Sequence, residues 1–169
     1  KIGIFSLNTS GYGLSGLTAS FSGTTLTANS YGDIGSYTNG GDCNIFSEYD
    51  PDNQAIVIVF QQYGSGSLYD LQSALQVDVS GSSVTVDHTA DKTQRARRWV
   101  NPASVLTYDT NADRFAYIIE DENDSDILKS LVLQNSGSAF TWGTVSSDIS
   151  ASSPTEKFCI GYDSVNNKS

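Results

Sequence analysis

The chain has 169 residues with 9 basic and 19 acidic side chains, a formal net charge of −10, a pI near 4.2 and 38% apolar residues. That balance repels nucleic acid and anionic membranes, so neither is an expected partner, while the apolar content suits the core of one domain or a piece of one. No apolar run approaches the roughly 18 residues of a membrane-spanning helix, and no basic segment followed by an apolar one marks a leader, so membrane insertion is not expected.

Only 17% of residues are charged. The abundance of Gly, Ser, Thr, Tyr and Asn favours twisted sheets with tight turns, and no window keeps a 3.6-residue apolar stripe for three turns. The sequence opens on Lys1 and contains no Met, which points to a processed product or a section of a longer polypeptide. Cys43 and Cys159 are too few for a disulfide framework and too far apart for a zinc-ligand spacing, so both are expected as buried free thiols, with no metal or other cofactor implied.

The fold is legible as a repeat. Tyr-Asp recurs at Tyr49-Asp50, Tyr108-Asp109 and Tyr162-Asp163, at intervals of 59 and 54, and Ser-Gly recurs at Ser22-Gly23, Ser80-Gly81 and Ser136-Gly137, at intervals of 58 and 56. Two independent markers thus give one period of about 56, and three periods account for nearly the whole chain. The stretch Val105 to Thr144 shows the unit most plainly: an apolar run ending in Tyr-Asp, a polar turn, a longer apolar run, an acidic turn, an alternating run, Ser-Gly and a last short run.

In chain order, the second strand of the first repeat is expected at Ile2 to Leu7, its third at Leu14 to Phe21 and its fourth at Thr25 to Ala28. The second repeat follows with strands at Asn44 to Tyr49, Ala55 to Gln61, Leu71 to Val79 and Ser83 to Val86. The third has Ser104 to Tyr108, Phe115 to Glu120, Ile127 to Leu133 and Ala139 to Trp142. A final first strand at Phe158 to Tyr162 is followed by nothing, so the head missing from the first repeat is expected from the tail of the last. The second strands are almost continuously apolar, as strands covered on both faces are. Asp, Asn and Pro in the Tyr-Asp turns bond the local backbone, and Ser-Gly supplies a residue able to take positive φ.

A four-stranded antiparallel meander repeating at this spacing is the pattern of a β-propeller blade. The expected fold is therefore all-β, with blade 1 at 1–41 plus a strand from 157–169, blade 2 at 42–100 and blade 3 at 101–156. Three blades fall below the usual minimum of about 4. The chain pairs with copies of itself, or belongs to a longer array, or closes as a small three-fold ring. The Tyr-Asp hairpins followed by SGxxxTWGT resemble the tandem blade repeats of bacteriophage tail fibres and related virion proteins, common in marine phages, over essentially the whole chain. The resemblance implies a non-enzymatic virion component for assembly and host attachment, at the virion surface or extracellular, forming homo-oligomers or binding other virion proteins. A carbohydrate-binding, lectin-like propeller with a host-surface glycan as ligand is the alternative, and a glycoside-acting enzyme stands third.

The chemistry-bearing residues are few. Ser138 to Thr144 invites comparison with the sialidase-type Asp-box but lacks its Asp and Gly, so Trp142 is expected as a packed aromatic between blades. No carboxylate pair declares itself as a glycosidase site. His88, the single histidine, follows a fourth strand without a G-x-S-x-G elbow and is expected in a surface loop. The acidic stretch Glu120 to Asp126 lacks the Gly and closing Glu of an EF-hand and is expected as a solvated hairpin tip.

The segment Lys92 to Trp99, KTQRARRW, holds four of the nine basic residues. Arg95, Arg97 and Arg98 suit gripping a carboxylate or acidic surface, with Trp99 as a stacking face, or pairing with an acidic turn across a blade or subunit contact. Loop tyrosines, Tyr63 and Tyr69 among them, form a second candidate surface for adaptable contacts, though cross-strand packing would also account for them.

Overall fold

The computed structural model describes residues 2–8, 13–29, 31–36, 45–62, 71–80, 83–94, 106–121, 127–149 and 159–165. These form three antiparallel four-stranded sheets. Sheet 1 contains β1 (Ile2–Asn8), β2 (Gly13–Ser22), β3 (Thr25–Ala28) and β4 (Gly32–Ser36); sheet 2 contains β5 (Ile45–Asp50), β6 (Ala55–Gln62), β7 (Leu71–Ser80) and β8 (Ser83–Thr93); sheet 3 contains β9 (Leu106–Asp109), β10 (Arg114–Asp121), β11 (Ile127–Asn135) and β12 (Phe140–Trp142).

Sheets 2 and 3 are meanders of first, second, third and fourth strand. Sheet 1 has the same second and third strands, with β3 and β4 pairing one after the other along β2.

Two features of the fourth position differ from expectation. The short strand expected at Ser83 to Val86 continues to Thr93, past a bulge opposite Gln76/Val77, and β3 and β4 do in two pieces along β2 what β8 does in one along β7. In sheet 3 the chain after β12 keeps bonding to β11, through Gly143 N–H to Val132 O at 2.8 Å and Ser146 N–H to Ser130 O at 2.9 Å. A bulge lets one strand bend and still pair along its length, and local alternation carries no sign of that continuation.

Sheet 2 lies between the other two. One of its faces joins Leu14, Phe5 and Ile34 of sheet 1 in a core with Ile58, Phe60, Leu75 and Val77. The opposite face, Val57, Val59 and Ala74, meets Leu106, Tyr108, Phe115, Tyr117, Leu131 and Leu133 of sheet 3. Because successive strand residues point to opposite faces, β6 must be apolar on both, which explains its run of Ala, Ile, Val and Phe. Trp142 lies in the core between sheets 2 and 3, where its Nε1–H donates to Ala90 O of β8 at 3.2 Å.

The tail makes only isolated bridges, at Cys159 and Asp163. Its residues 159–160 lie beside the outer face of sheet 3, where Cys159 and Ile160 border a cavity of about 350 Å3 with Ala116, Ile118, Leu128 and Ser130. Cys159 is an exposed free thiol rather than a buried one, since its strand covers a face without being covered in turn. Cys43 lies outside the described residues.

Candidate functional site

The strands divide the molecule into two ends. One carries the turns joining first to second strands and the Ser-Gly hairpins. The other is where each second strand finishes, each third begins and each fourth leaves for the next sheet.

At the first end the Tyr-Asp turns share one geometry. Asp50 Oδ1 accepts the N–H groups of Asp52 and Asn53, both at 3.1 Å, and Asp109 Oδ1 accepts those of Asn111 and Ala112 at 2.9 and 3.0 Å. Asp163 Oδ1 takes Val165 N–H at 3.0 Å in the tail. The turns finish with positive φ at Gln54 (53°) and Asp113 (52°), and the hairpins carry it at Gly23 (59°) and Gly137 (80°). The side chain closes the turn locally, so the same three or four residues rebuild it in every repeat.

Tyrosine joins one turn to the next. The Tyr108 hydroxyl faces Asp52 Oδ2 of the preceding sheet at 2.8 Å and Asp113 Oδ1 of its own turn at 2.7 Å. Burial first, and then these carboxylates, hold its proton far above the ordinary phenol range. One sheet later the Tyr162 side chain bonds Asp109, the Asp of the Tyr-Asp pair itself. Ala112 N–H, Asn111 N–H and the Tyr162 side chain draw its carboxylate below the usual range, against an opposing contribution from desolvation.

A polar cluster fills the same end between sheets 2 and 3. Asn135 Nδ2 donates to Asp50 Oδ2 at 2.9 Å and to Gln76 Oε1 at 2.7 Å, while its Oδ1 accepts Gly137 N–H at 3.1 Å. That orientation makes His88 Nε2, 3.1 Å from the same Oδ1, a donor; Nδ1 faces Asp87 Oδ2 at 2.9 Å. His88 is thus a strand residue stacked on Phe140, with ring centroids 4.5 Å apart, and not the loop histidine expected. Its two nitrogens are engaged by Asp87 and Asn135, so it is not placed to take a serine proton.

The second end is where the strands bordering the expected ligand-contacting residues in sequence finish. Tyr63, Tyr69, Arg95, Arg97, Arg98 and Trp99 all lie outside the described residues, but the strands that deliver them end together: β6 at Gln62, β7 at Leu71 and β8 just before Gln94. The register pairs Gln62 with Leu71 and Leu71 with Thr93, so the described ends of β6, β7 and β8 lie side by side at one end of sheet 2.

That edge has a polar floor. On the side facing sheet 3, Gln72 donates to Gln94 O at 2.9 Å and accepts the Tyr117 hydroxyl at 3.0 Å, fixing the backbone just before Arg95. On the side facing sheet 1, Gln62 Nε2 bonds Ser73 Oγ, and Ser73 Oγ donates to Asp91 Oδ1 at 2.5 Å. Gln61 Oε1 is buried without a donor among the described residues. Lys92, the first residue of the basic segment, reaches Gly143 O of sheet 3 at 3.0 Å and so binds two sheets together.

The floor offers amide and hydroxyl groups that orient a polar partner. In sheet 3 the corresponding positions are Glu120 and Asp121, which are buried rather than solvated; Lys129 Nζ lies 3.2 Å from Asp121 Oδ2. Alternation across Phe115 to Glu120 held the signal for this, since Glu120 continues the buried strand. Among the described residues no three His, Cys, Asp or Glu side chains group as a metal site.

No family model, curated protein or solved structure matches the chain.

Proposed function

We propose that the chain is a non-enzymatic, propeller-type repeat domain of a virion fibre or decoration protein, acting in assembly and host-surface attachment at the virion surface or in the extracellular space. The observation that carries this reading is the separation of the two ends. Among the described residues, the shared Asp50 and Asp109 and the hairpin glycines Gly23 and Gly137 build the turn end. At the other end the described strands finish on a polar floor of Gln62, Gln72 and Ser73, and Tyr63, Tyr69, Arg95, Arg97, Arg98 and Trp99 adjoin those strand ends in sequence. Binding groups carried on loops above a rigid scaffold are the common arrangement for recognition. Three stacked antiparallel four-stranded sheets, two of them four-strand meanders, support the propeller-type reading.

A glycan is the partner chemistry favoured at that end. Tyr and Trp in the adjoining sequence, together with the amide and hydroxyl groups of the floor, are the side-chain types that suit the alternating apolar and hydroxyl surfaces of a sugar. The test is retention of the labelled protein on a panel of bacterial envelopes and their released polysaccharides. Replacing Tyr63, Tyr69 and Trp99 together by Ala should abolish retention with thermal unfolding unchanged; retention at the original level sinks the assignment.

A further inference from the structure

Two incomplete parts of the array match one another. Sheet 1 has its second, third and fourth strands, and among the described residues nothing pairs with the free side of β1. The tail, residues 159–163, has a first-strand sequence and stands outside the three four-stranded sheets. Residues 159–163 nevertheless stand against sheet 3 as β9 stands against sheet 2. Ile160 borders the outer face of β10 and β11, and Tyr162 bonds Asp109 of the sheet 3 turn where Tyr108 bonds Asp52 of the sheet 2 turn.

The outer faces match as well. The pairings Ile4 with Leu17, Ile58 with Leu75 and Tyr117 with Leu131 are equivalent by register. Ile58 and Tyr117 face the preceding sheet and are fully buried, whereas Ile4 is 43% exposed, with Phe21 at 65% and Leu26 at 48% on the same side of sheet 1. On the outside of sheet 3, Ala116, Ile118, Ser130 and Val132 occupy the positions by which Val57, Val59, Ala74 and Gln76 of sheet 2 receive their neighbour.

The side-chain chemistry covaries across these positions. Asn135, before its Ser-Gly, meets Gln76 in the polar cluster. The equivalent residue on sheet 1 is Phe21, and the equivalent of Gln76 on sheet 3 is the apolar Val132. Tyr49 is 53% exposed, where Tyr108, with a preceding turn to bond, is 6% exposed.

We propose that the outer face of sheet 3 and the tail of one copy receive sheet 1 of a second copy. The tail pairs antiparallel with β1 as β5 pairs with β6, Phe21 packs on Val132, and the Tyr49 hydroxyl of the second copy bonds the Asp163 turn. An extended strand completing an exposed sheet edge takes affinity from main-chain bonds and register from side-chain pockets. The contact is head-to-tail, so it closes a ring or runs on as a filament. This inference rests on reading the repeat as an assembly unit.

The experiment is native mass spectrometry with light scattering on the full chain across a concentration series. Multiples of 18.1 kDa are expected. Phe21→Asp and, separately, Ile160→Asp should each weaken association about a hundredfold, since each places a charge in a closed apolar contact. Thr89→Asp on the exposed rim strand should leave it unchanged, with circular dichroism the same for all. A chain that stays monomeric at every concentration overturns the proposal. So does an oligomer indifferent to both face variants, although it leaves assembly itself standing. Envelope binding by a monomer separates the two readings, because it keeps attachment and removes strand donation.

Discussion

The seam between sheets 1 and 2 and the seam between sheets 2 and 3 use the same backbone positions with different chemistry. In the first, Val77, Val84 and Ile56 carry apolar packing toward the turn end. In the second, the equivalent region holds Asn135, Gln76, Asp50 and His88 in one bonded cluster. Asp50 is fully buried, yet four donors reach it: two backbone N–H groups, Asn53 Nδ2 and Asn135 Nδ2. Those bonds offset its loss of water. The difference teaches that apolar burial holds the sheets together while polar geometry decides which sheet follows which. An apolar surface accepts many neighbours, and a surface presenting Gln76 and Asp50 accepts one that brings Asn135.

Removing a large ring from either core tests the shared part of this comparison and has the greatest effect. Phe60→Ala and Phe115→Ala should each destabilise by about 3–5 kcal/mol in urea denaturation, since both are fully buried. A cost confined to one of them would mean that only one seam is coupled to global unfolding.

The distinctive part of the second seam is tested at its hub. Asn135→Ala leaves Gln76, Asp50 and His88 each short of a partner, and a loss of about 2–4 kcal/mol is expected. Replacing the equivalent Val79 by Ala should cost less, because only packing is lost. Equal losses in the same denaturation series would show that the polar cluster confers nothing special.

The hairpin glycines sharpen the contrast further. Gly23 needs only positive φ, with nothing within 4 Å of an added Cβ, whereas a Cβ on Gly137 would meet Asn53 Oδ1 at 2.5 Å. Gly23→Ala should cost about 1 kcal/mol and Gly137→Ala about twice that, measured by thermal unfolding.

The smallest effects are in pH. Tyr108 has its proton held more tightly in the folded state, so its contribution is complete below about pH 10, the unfolded phenol value, and is lost as pH rises beyond it. Asp109 is shifted the other way. Its contribution is present above about pH 4 and fades as pH falls below that. Tyr108→Phe should remove the alkaline dependence and leave the acid limb in place.

The repeat, its period and eleven of the twelve strands, β8 only in its first part, were legible because each rests on local chemistry. Asp50 and Asp109 bond their own turns, Ser-Gly needs one glycine, and β6 shows two-sided burial in its composition. What escaped depends on partners distant in sequence. β4 carries no strand signal in GDIGS, since Gly32 and Gly35 give little to read; it forms because β2 has an open edge there. His88 falls in a polar stretch and becomes ordered by Asn135, 47 residues away. The candidate site residues stand out by composition and lie outside the described residues, while the meeting of the bordering strand ends at one end of sheet 2 follows from register, which composition does not carry.

Clamping of Gln62 to Ser73 and of Gln72 to Gln94 has a consequence for changing this protein. Strand register is set by cross-strand bonds below the segment 63–70, so that segment need not set it. Doubling its length should cost only about 0.6 kcal/mol in closure entropy. The scaffold is therefore suited to exchange of whole peptides between Gln62 and Leu71, with a library of inserts tolerated at a site where the turn end would tolerate almost none.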